Sequence, residues 1–528
     1  MATYLIAYDL GTGGNKASLY DPTGRCVAAV FVPYETHYPR PGWHEQRPED
    51  WWNAVVVSTR RLLADSGADG ADVACLAISG HSLGCVPLDS AGRLLRDATP
   101  IWSDKRPEAQ VRRFFDEVDE RQWYRTTGNG FPAAHYTAFK IMWYRQNEPE
   151  MFERIDKVLG TKDYVNYRMT GRIATDPSYA SGCGVYDLAG RDYSDELIAA
   201  SHLPRTLLPE IVPSTAILGR LTDEAAAQLG LPTSVRVACG GVDNSCMALG
   251  ARNLAEGSVY ASLGSSAWIA VSSAKPLLDD RARPYVFAHV VPGMFTSAVA
   301  IFSAGTTFRW VRDNLCGDLA ARAERDGTDV YDLMTALAAE SPVGAGGLLL
   351  NPTLAGGSSL DDSPHTRGAL LGLDLAHGRA DIVRAAMEGI ALNLRIVLDE
   401  LRALCPVRDE MVAVGGISRS APWRQILADA MNIRIVKTQV AQQAGSLGAA
   451  AVAAVGAGVW SDFSPIESVH QVESTAEPDA ANAAVYEKLL PVFRRGCRHQ
   501  AEIGEMLAGL VCWSTDLRAG GVRGRPGH

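Results

Sequence analysis

The stretch YLIAYDLGTGGNKASLYD, from Tyr4 to Asp21, decides how this chain folds. Tyr4–Leu10 reads as a strand, Gly11 to Gly14 as a turn and Lys16–Asp21 as a second strand. Pro22-Thr23-Gly24 supplies another turn and Arg25–Val32 a third strand, so the chain opens with an antiparallel meander. In the first turn, backbone N–H groups beside Gly11, Thr12, Gly13 and Gly14 form a nest for an anion, to which the Thr12 hydroxyl and the Lys16 charge add. Asp9, at the strand end, can hold Mg2+ through water, because that ion takes few carboxylates and keeps several waters. GxxxxGK[ST] is absent and a strand follows where a helix should, so this is neither a Walker A loop nor a Rossmann fingerprint. Standing alone, it would be an ordinary hairpin turn.

The same unit returns in the second half. Ser258–Leu263 reads as a strand, Gly264-Ser265-Ser266 as a turn and Ala267–Ser272 as a returning strand, which suggests an internally duplicated fold with a cleft between the copies. Around these units, Trp51, Trp52, Val55, Val56, Thr59 and Leu62 recur at helical spacing over Pro48–Asp65. Val73–Ser79 predicts a strand and Val86–Leu95 a hairpin. Val383, Met387, Ile390, Leu394, Val397 and Leu401 predict a long helix over Ala380–Leu404, closed by Pro406. Met411–Val414 is a strand running into Gly415-Gly416 and then a helix through Trp423–Met431, a step that lets backbone approach a nucleotide closely. The domain boundary falls near Ala251–Gly257, giving domains 1–253 and 254–490 and a C-terminal segment 491–528, with disorder expected from about Asp516.

The chain has 528 residues, 47% hydrophobic and 21% charged, with a net charge of −10. That length exceeds what one core usually supports, so two domains are expected. Basic residues are scattered apart from Arg518, Arg523 and Arg525 in the tail, so a nucleic-acid footprint is missing. The ten cysteines include no CxxC pair and read as reduced thiols of a cytoplasmic protein. No membrane partner is expected. The longest uncharged stretch, Thr438–Ser461, is alanine-rich and glycine-broken, which suits a buried helix better than a membrane span.

The chemistry centres on Asp243, a lone carboxylate in the turn of VACGGVDNSCMALGA (residues 237–251), between an apolar strand and a small-residue helix. It is either a helix N-cap or a general base that takes a proton from a hydroxyl; the two glycine turns favour the base and suggest phosphoryl transfer to an alcohol. His81-Ser82-Leu83 and Trp102-Ser103-Asp104 pair polar groups with an aromatic, as a sugar site does. The alternatives are packing for Trp102 and a cap for Asp104 before a helix over Lys105–Val118. Trp43, Trp51 and Trp52 read as packing; His135 and His365 read as structural or surface residues.

Nine segments in sequence order resemble the FGGY family of carbohydrate kinases, most closely its xylulokinase branch, over roughly Tyr4 to Gly458. They are the opening stretch, GWHEQRPEDWW (42–52), ISGHSLGCVPLD (78–89), IWSDKR (101–106), GTKDYVNYRMTG (160–171), GGVDNSCMALG (240–250), SLGSSAW (262–268), AVGGISRSAPWRQILADAM (413–431) and QQAGSLGAAAVAA (442–454). The resemblance implies an α/β fold of two RNase H-like (actin- and Hsp70-like ATPase) domains closing on a central cleft. It implies ATP and Mg2+ as cofactors and a small sugar or polyol as the substrate, with the assembly open between monomer and homodimer. Asp243 matches the family's base; Gly11–Gly14 and Gly264–Ser266 match its ATP phosphate loops. Gly305, in FSAGTTFRW (302–310), and Gly415-Gly416 match nucleotide-binding positions, and Ser420 is similar to an adenine-side contact. The sugar is then expected beside His81, Ser82, Leu83, Trp102, Asp104, Asp243 and Asn244, with Mg2+ near Asp9. Xylulokinases usually carry Gln-Met-His where this chain has His81-Ser82-Leu83, and an asparagine where it has Ser103. Xylulose, ribulose, fuculose, a tetrulose or erythritol therefore all stay open as the acceptor. The rival class is a non-catalytic actin-like sugar sensor; a nicotinamide-dependent dehydrogenase lacks its βαβ context.

Overall fold

A computed structural model describes residues 3–358, 360–440 and 442–510. The arginine-bearing tail and the disorder expected from Asp516 lie outside the described residues.

The first half is built on β1 (Tyr4–Gly11), β2 (Gly14–Tyr20) and β3 (Cys26–Pro33), the expected antiparallel meander, with Asp9 opposite Lys16 and Gly11 opposite Gly14. Helix α1 (Pro48–Ser66) has proline in its first turn, where a missing N–H is harmless, and ends at Gly67 in a left-handed cap. It buries Trp51, Trp52, Val55 and Leu62 against Ile6, Tyr8 and Ile78 of the sheet. Strand β4 (Val73–Gly80) runs parallel to β1. After β5 (Ile217–Arg220), strands β6 (Arg236–Ala238) and β7 (Gly241–Val242) both lie parallel to β4. The sheet order is β5-β6-β4-β1-β2-β3, with β7 also paired to β4. Helix α2 (Asp243–Gly250) follows at once.

The second half repeats this plan. Strands β8 (Val259–Leu263), β9 (Ala267–Ser273), β10 (Tyr285–Ala288) and β11 (Phe295–Ile301) precede helix α3 (Gly305–Leu315) and the long helix α4 (Arg379–Leu404). Then come β12 (Glu410–Val414), α5 (Ala421–Met431), β13 (Arg434–Thr438), α6 (Ala444–Gly456), β14 (Val472–Ala476) and α7 (Ala480–Leu510). The order is β10-β11-β9-β8-β12-β13-β14. Thus β3-β2-β1-β4-β6 and β11-β9-β8-β12-β13 match strand for strand: an antiparallel meander, then two parallel neighbours. The duplication extends well beyond the glycine turns.

Helices α2 and α6 lie between the two sheets. One apolar cluster holds Leu5, Ala7 and Ala77 of the first sheet, Tyr260, Ala270, Val412 and Val414 of the second, and Leu249 and Ala449 to Ala454 between them. The two helices touch backbone to backbone: a Cβ on Gly250 would lie 1.8 Å from the Ala444 carbonyl oxygen, and one on Gly448 1.9 Å from that of Cys246. That contact explains the alanine and glycine composition of α6, which is buried from Ala444 to Ala454. Among the described residues, no helix is long and apolar enough to cross a membrane.

Two local expectations fail. Val86–Leu88 pairs with Lys157–Leu159, and only an isolated Leu88–Leu94 bridge remains of the hairpin. The Asp89 carboxylate accepts the N–H groups of Ala91 and Arg93 and closes the turn too tightly for a longer ladder. The helix expected from Lys105 begins at Glu108, behind Pro107 at its cap. The nine described cysteines are free thiols, seven of them buried.

Candidate active site

Strands β1, β4 and β7 run side by side, with Asp9 beside Ser79 and Val242 beside Gly80. The residues that follow them share the C-terminal edge of the sheet, where open α/β sheets bind ligands. Asp9 Oδ1 accepts the Ser79 hydroxyl at 3.1 Å. Burial pushes the Asp9 carboxyl upward, while cross-strand Lys16 and the Ser79 hydrogen bond pull it down. The Lys16 ammonium donates to the Gln442 carbonyl at 2.8 Å, tying the first turn to the approach to α6.

Asp243 is the first residue of α2. The N-cap reading does not hold, because Val242 occupies the cap and no side chain caps the helix. Instead Asp243 Oδ1 accepts the backbone N–H of Asn244 at 2.8 Å and its Nδ2 at 3.0 Å. Burial lifts the carboxyl to about 7; the bonds from Asn244 oppose the lift and the charge of Asp9 adds to it. A carboxyl near 7 is matched to accepting a proton at neutral pH. The second half reaches this turn as well: the Tyr260 hydroxyl of β8 donates to the Asn244 carbonyl at 3.5 Å.

Both glycine turns have occupied carbonyls. Gly11, Gly13 and Gly264 present open faces, whereas Gly14 is packed, with Phe31 and the Val32 oxygen each 2.6 Å from its Cβ position. In the first, Tyr34 donates to the Gly11 carbonyl, Gln46 Nε2 to that of Thr12 at 2.7 Å, and Trp102 Nε1 to Thr12 Oγ1 at 2.9 Å. A Cβ on Gly13 would meet nothing within 4 Å, and one on Gly11 only the Gly14 oxygen at 3.7 Å. In the second, the Ser265 carbonyl accepts the N–H groups of Ala304 and Thr306, and that of Gly264 accepts Gly305, all at 3.0 Å. A Cβ on Gly264 would meet only the Ser266 oxygen, at 3.6 Å. Glycine backbone with space before it can approach an anion closely. Gly305 has a packing role, since a Cβ there would lie 2.5 Å from the Gly264 oxygen. Gly415, at φ 98°, backs the same turn with the Leu263 oxygen 2.6 Å from its Cβ position, and Gly416 is exposed beside it. Ser420 is half-buried at the start of α5.

Among the residues expected beside the sugar, His81 is buried edge-on to Trp51, with Thr161 Oγ1 3.3 Å from both ring nitrogens. Burial drops its pKa to about 4, so the ring is neutral. Ser82 is nearly buried. Leu83, at φ 62°, turns its side chain into a cluster with Phe139 and Tyr136. Trp102 is exposed beside the first turn, and its carbonyl bonds His135 Nδ1 at 2.8 Å, so His135 has a partner that the sequence did not disclose. Asp104 is fully buried, its oxygens taken by Arg106 and by the His44 backbone N–H at 2.7 Å. It neither caps a helix nor opens to solvent, and it braces the loop that carries Trp102. Trp51 and Trp52 are core residues, as expected.

Three contributors had no legible signal: Ser79 on Asp9, Gln46 on Thr12, and Ser178, whose hydroxyl accepts the Val242 N–H. Ser79 and Gln46 lie in motifs whose order along the chain was informative and whose individual contacts were not; Ser178 lies outside every one of those motifs. For Mg2+ the fit is good. Asp9 and Asp243 bring two desolvated carboxyls to the same edge of the sheet, one strand apart, where a bound cation would offset their desolvation and mutual repulsion. Asp9 is the residue that would carry the ion through water.

The family model for the N-terminal domain of the FGGY family of carbohydrate kinases matches residues 4–250, and that for the C-terminal domain matches 259–457. A xylulose kinase of Escherichia coli (strain K12) is 32% identical over 491 residues, covering 93% of this chain and 98% of its own. The crystal structure of xylulose kinase from Rhodospirillum rubrum has a TM-score of 0.86 at 30% identity, covering 95% of this chain and 100% of that one. The gluconate kinase structure from Lactobacillus acidophilus has a TM-score of 0.87 at 25% identity, covering 97% and 100%.

Proposed function

This chain belongs to the FGGY family of carbohydrate kinases and is a sugar kinase dependent on ATP and Mg2+, and from that premise we propose that it phosphorylates a small ketose or polyol with Asp243 as the general base. The observation that carries this reading is the placement of Asp243, with its carboxyl near 7, one strand away from Asp9 and the open Gly11–Gly14 turn. The acceptor hydroxyl gives its proton to Asp243 as its oxygen bonds the γ-phosphorus, and the bond from that phosphorus to the ADP oxygen breaks. Because the transition state is loose, alignment and charge neutralisation supply most of the rate. Bound Mg2+ supplies charge neutralisation on the phosphate oxygens. Backbone N–H groups of both glycine turns orient the phosphates, Lys16 adds charge, and Gly305, Gly415, Gly416 and Ser420 shape the nucleotide side. His81, Ser82, Trp102 and Asn244 orient the sugar, and Asp104, tied to Arg106, braces the loop that carries Trp102. Residues 1–253 hold the sugar and residues 254–490 the nucleotide.

The xylulose kinase relatives support a ketose of xylulose size. The gluconate kinase neighbour supports a second reading, an acidic sugar. The test is ADP release over a panel of D-xylulose, D-ribulose, L-fuculose, erythrulose, erythritol, glycerol and gluconate. Sugar-stimulated ADP formation with a phosphorylated product supports the kinase, and the preferred sugar decides between the readings. Sugar binding with no ADP formation would establish a sensor instead.

A further inference from the structure

We propose that Ser178 is a positioning residue for the reaction: its hydroxyl fixes the peptide that carries Asp243. This rests on the reading of Asp243 as the base. Ser178 lies in the one-turn helix Pro177–Ala180, capped by Asp176. Its Oγ donates to Asp176 Oδ2 at 2.5 Å and accepts the Val242 N–H at 2.9 Å. Both directions are fixed chemically, since a carboxylate only accepts and a backbone N–H only donates. Asp176 is itself held by the Ser214 hydroxyl at 2.7 Å and by Lys162 Nζ at 3.1 Å, and that lysine also pairs with Asp163.

This network is out of solvent: Lys162, Asp176 and Ser178 are fully buried, and Asp163 and Ser214 are nearly so. The segment before Asp243 is held at two points, one of them by this network. Asn166 Nδ2 holds the Cys239 carbonyl at 2.8 Å, and Ser178 holds Val242. Gly241 fits between them because a Cβ there would crowd Val290 at 2.4 Å and Ser178 Oγ at 3.1 Å. Buried charge is expensive unless paired, and here the paired charge ends on the N–H one residue before the base. A base displaced by a fraction of its hydrogen-bond length loses its near-attack geometry without loss of substrate affinity.

The test is steady-state kinetics of Ser178→Ala, Ser178→Thr, Ser214→Ala and Asp243→Asn with the panel sugar of highest kcat/KM. Ser178→Ala is expected to lower kcat about 10- to 100-fold, with KM for sugar and ATP within about threefold of the parent. Ser178→Thr keeps the hydroxyl and is expected to restore kcat to within about threefold. Ser214→Ala removes a bond to the same Asp176 oxygen but leaves Val242 held, so its loss of kcat should be clearly smaller than that of Ser178→Ala. If Ser178→Ala does not fold, Ser178→Cys, a weaker acceptor of similar size, takes its place.

A parent-like kcat in the Ser178 variant, no rescue by threonine, or an equal loss in Ser214→Ala overturns the proposal. An inactive Asp243→Asn beside a normal Ser178→Ala overturns this proposal alone. An active Asp243→Asn, or no turnover with any sugar, overturns the base assignment and this proposal with it.

Discussion

Replacing Asp243 by asparagine should make the protein more stable and nearly inactive, and the stability gain should depend on pH. Burial moves the carboxyl from 3.8 in the unfolded chain to about 7 in the fold. At 1.36 kcal/mol per pH unit, that distance corresponds to about 4 kcal/mol. Asp243 is half-buried, so solvent screening reduces the figure to about 2 kcal/mol. The sign follows from which form the fold prefers. The folded state keeps the proton up to about 7, whereas the unfolded chain releases it above 3.8. The parent therefore loses stability as pH rises from about 4 to about 7 and then levels off. Asparagine does not titrate, so the difference between the two proteins opens over that interval. With an unfolding entropy of about 2.1 cal/mol/K per residue over 528 residues, about 2 kcal/mol is worth about 2 °C in Tm. Melting curves at pH 5 and pH 8, in chelator and without nucleotide, should show the gap widening at pH 8. Coupled ADP release should fall by about 100-fold or more. A Tm difference that is constant with pH or reversed, or turnover near the parent's, would refute the reasoning.

Two further outcomes follow from the same geometry. Gly11→Val and Gly264→Val place side chains in open space, so both should fold normally while raising KM for ATP about tenfold or more; nucleotide affinity unchanged in both would remove the phosphate role of the turns. Lys162→Met leaves Asp163 and Asp176 buried without their counter-ion, and should cost about 3–5 kcal/mol in urea denaturation; a change well under that would show that the two carboxyls are protonated or otherwise satisfied.

The parts of this molecule that were legible in its sequence are those with a local period. The β1–turn–β2 unit, its repeat at β8 and β9, and the heptad-like spacing of α4 are each visible within a short window. The helix after Asp243 is visible in the same way. The turn expected to carry Asp243 is instead the short strand β7, which runs straight into α2 with Asp243 as its first residue. The supports of the site are long-range pairs: Ser79 with Asp9, Gln46 with Thr12, Ser178 with Val242. Such pairs are made by the folding of the sheet and leave no spacing to read. Leu83 shows a different limit. Its place in the motif points to the sugar, yet a left-handed backbone turns the side chain into the apolar interior. Only the three-dimensional path distinguishes those two fates.

The position of α6 has a consequence for how the chain can be divided. It is encoded between β13 and β14 of the second sheet, yet it lies against β1, β4 and α2 of the first. A gene severed near the codon for Asn253 would strip the leading fragment of one of the two helices covering that face of its sheet, and would leave the trailing fragment with a bare apolar helix. The halves look modular in outline but are stitched together by a return thread. Recombination that swaps N-terminal halves between relatives must therefore carry this late helix along with the early strands it covers.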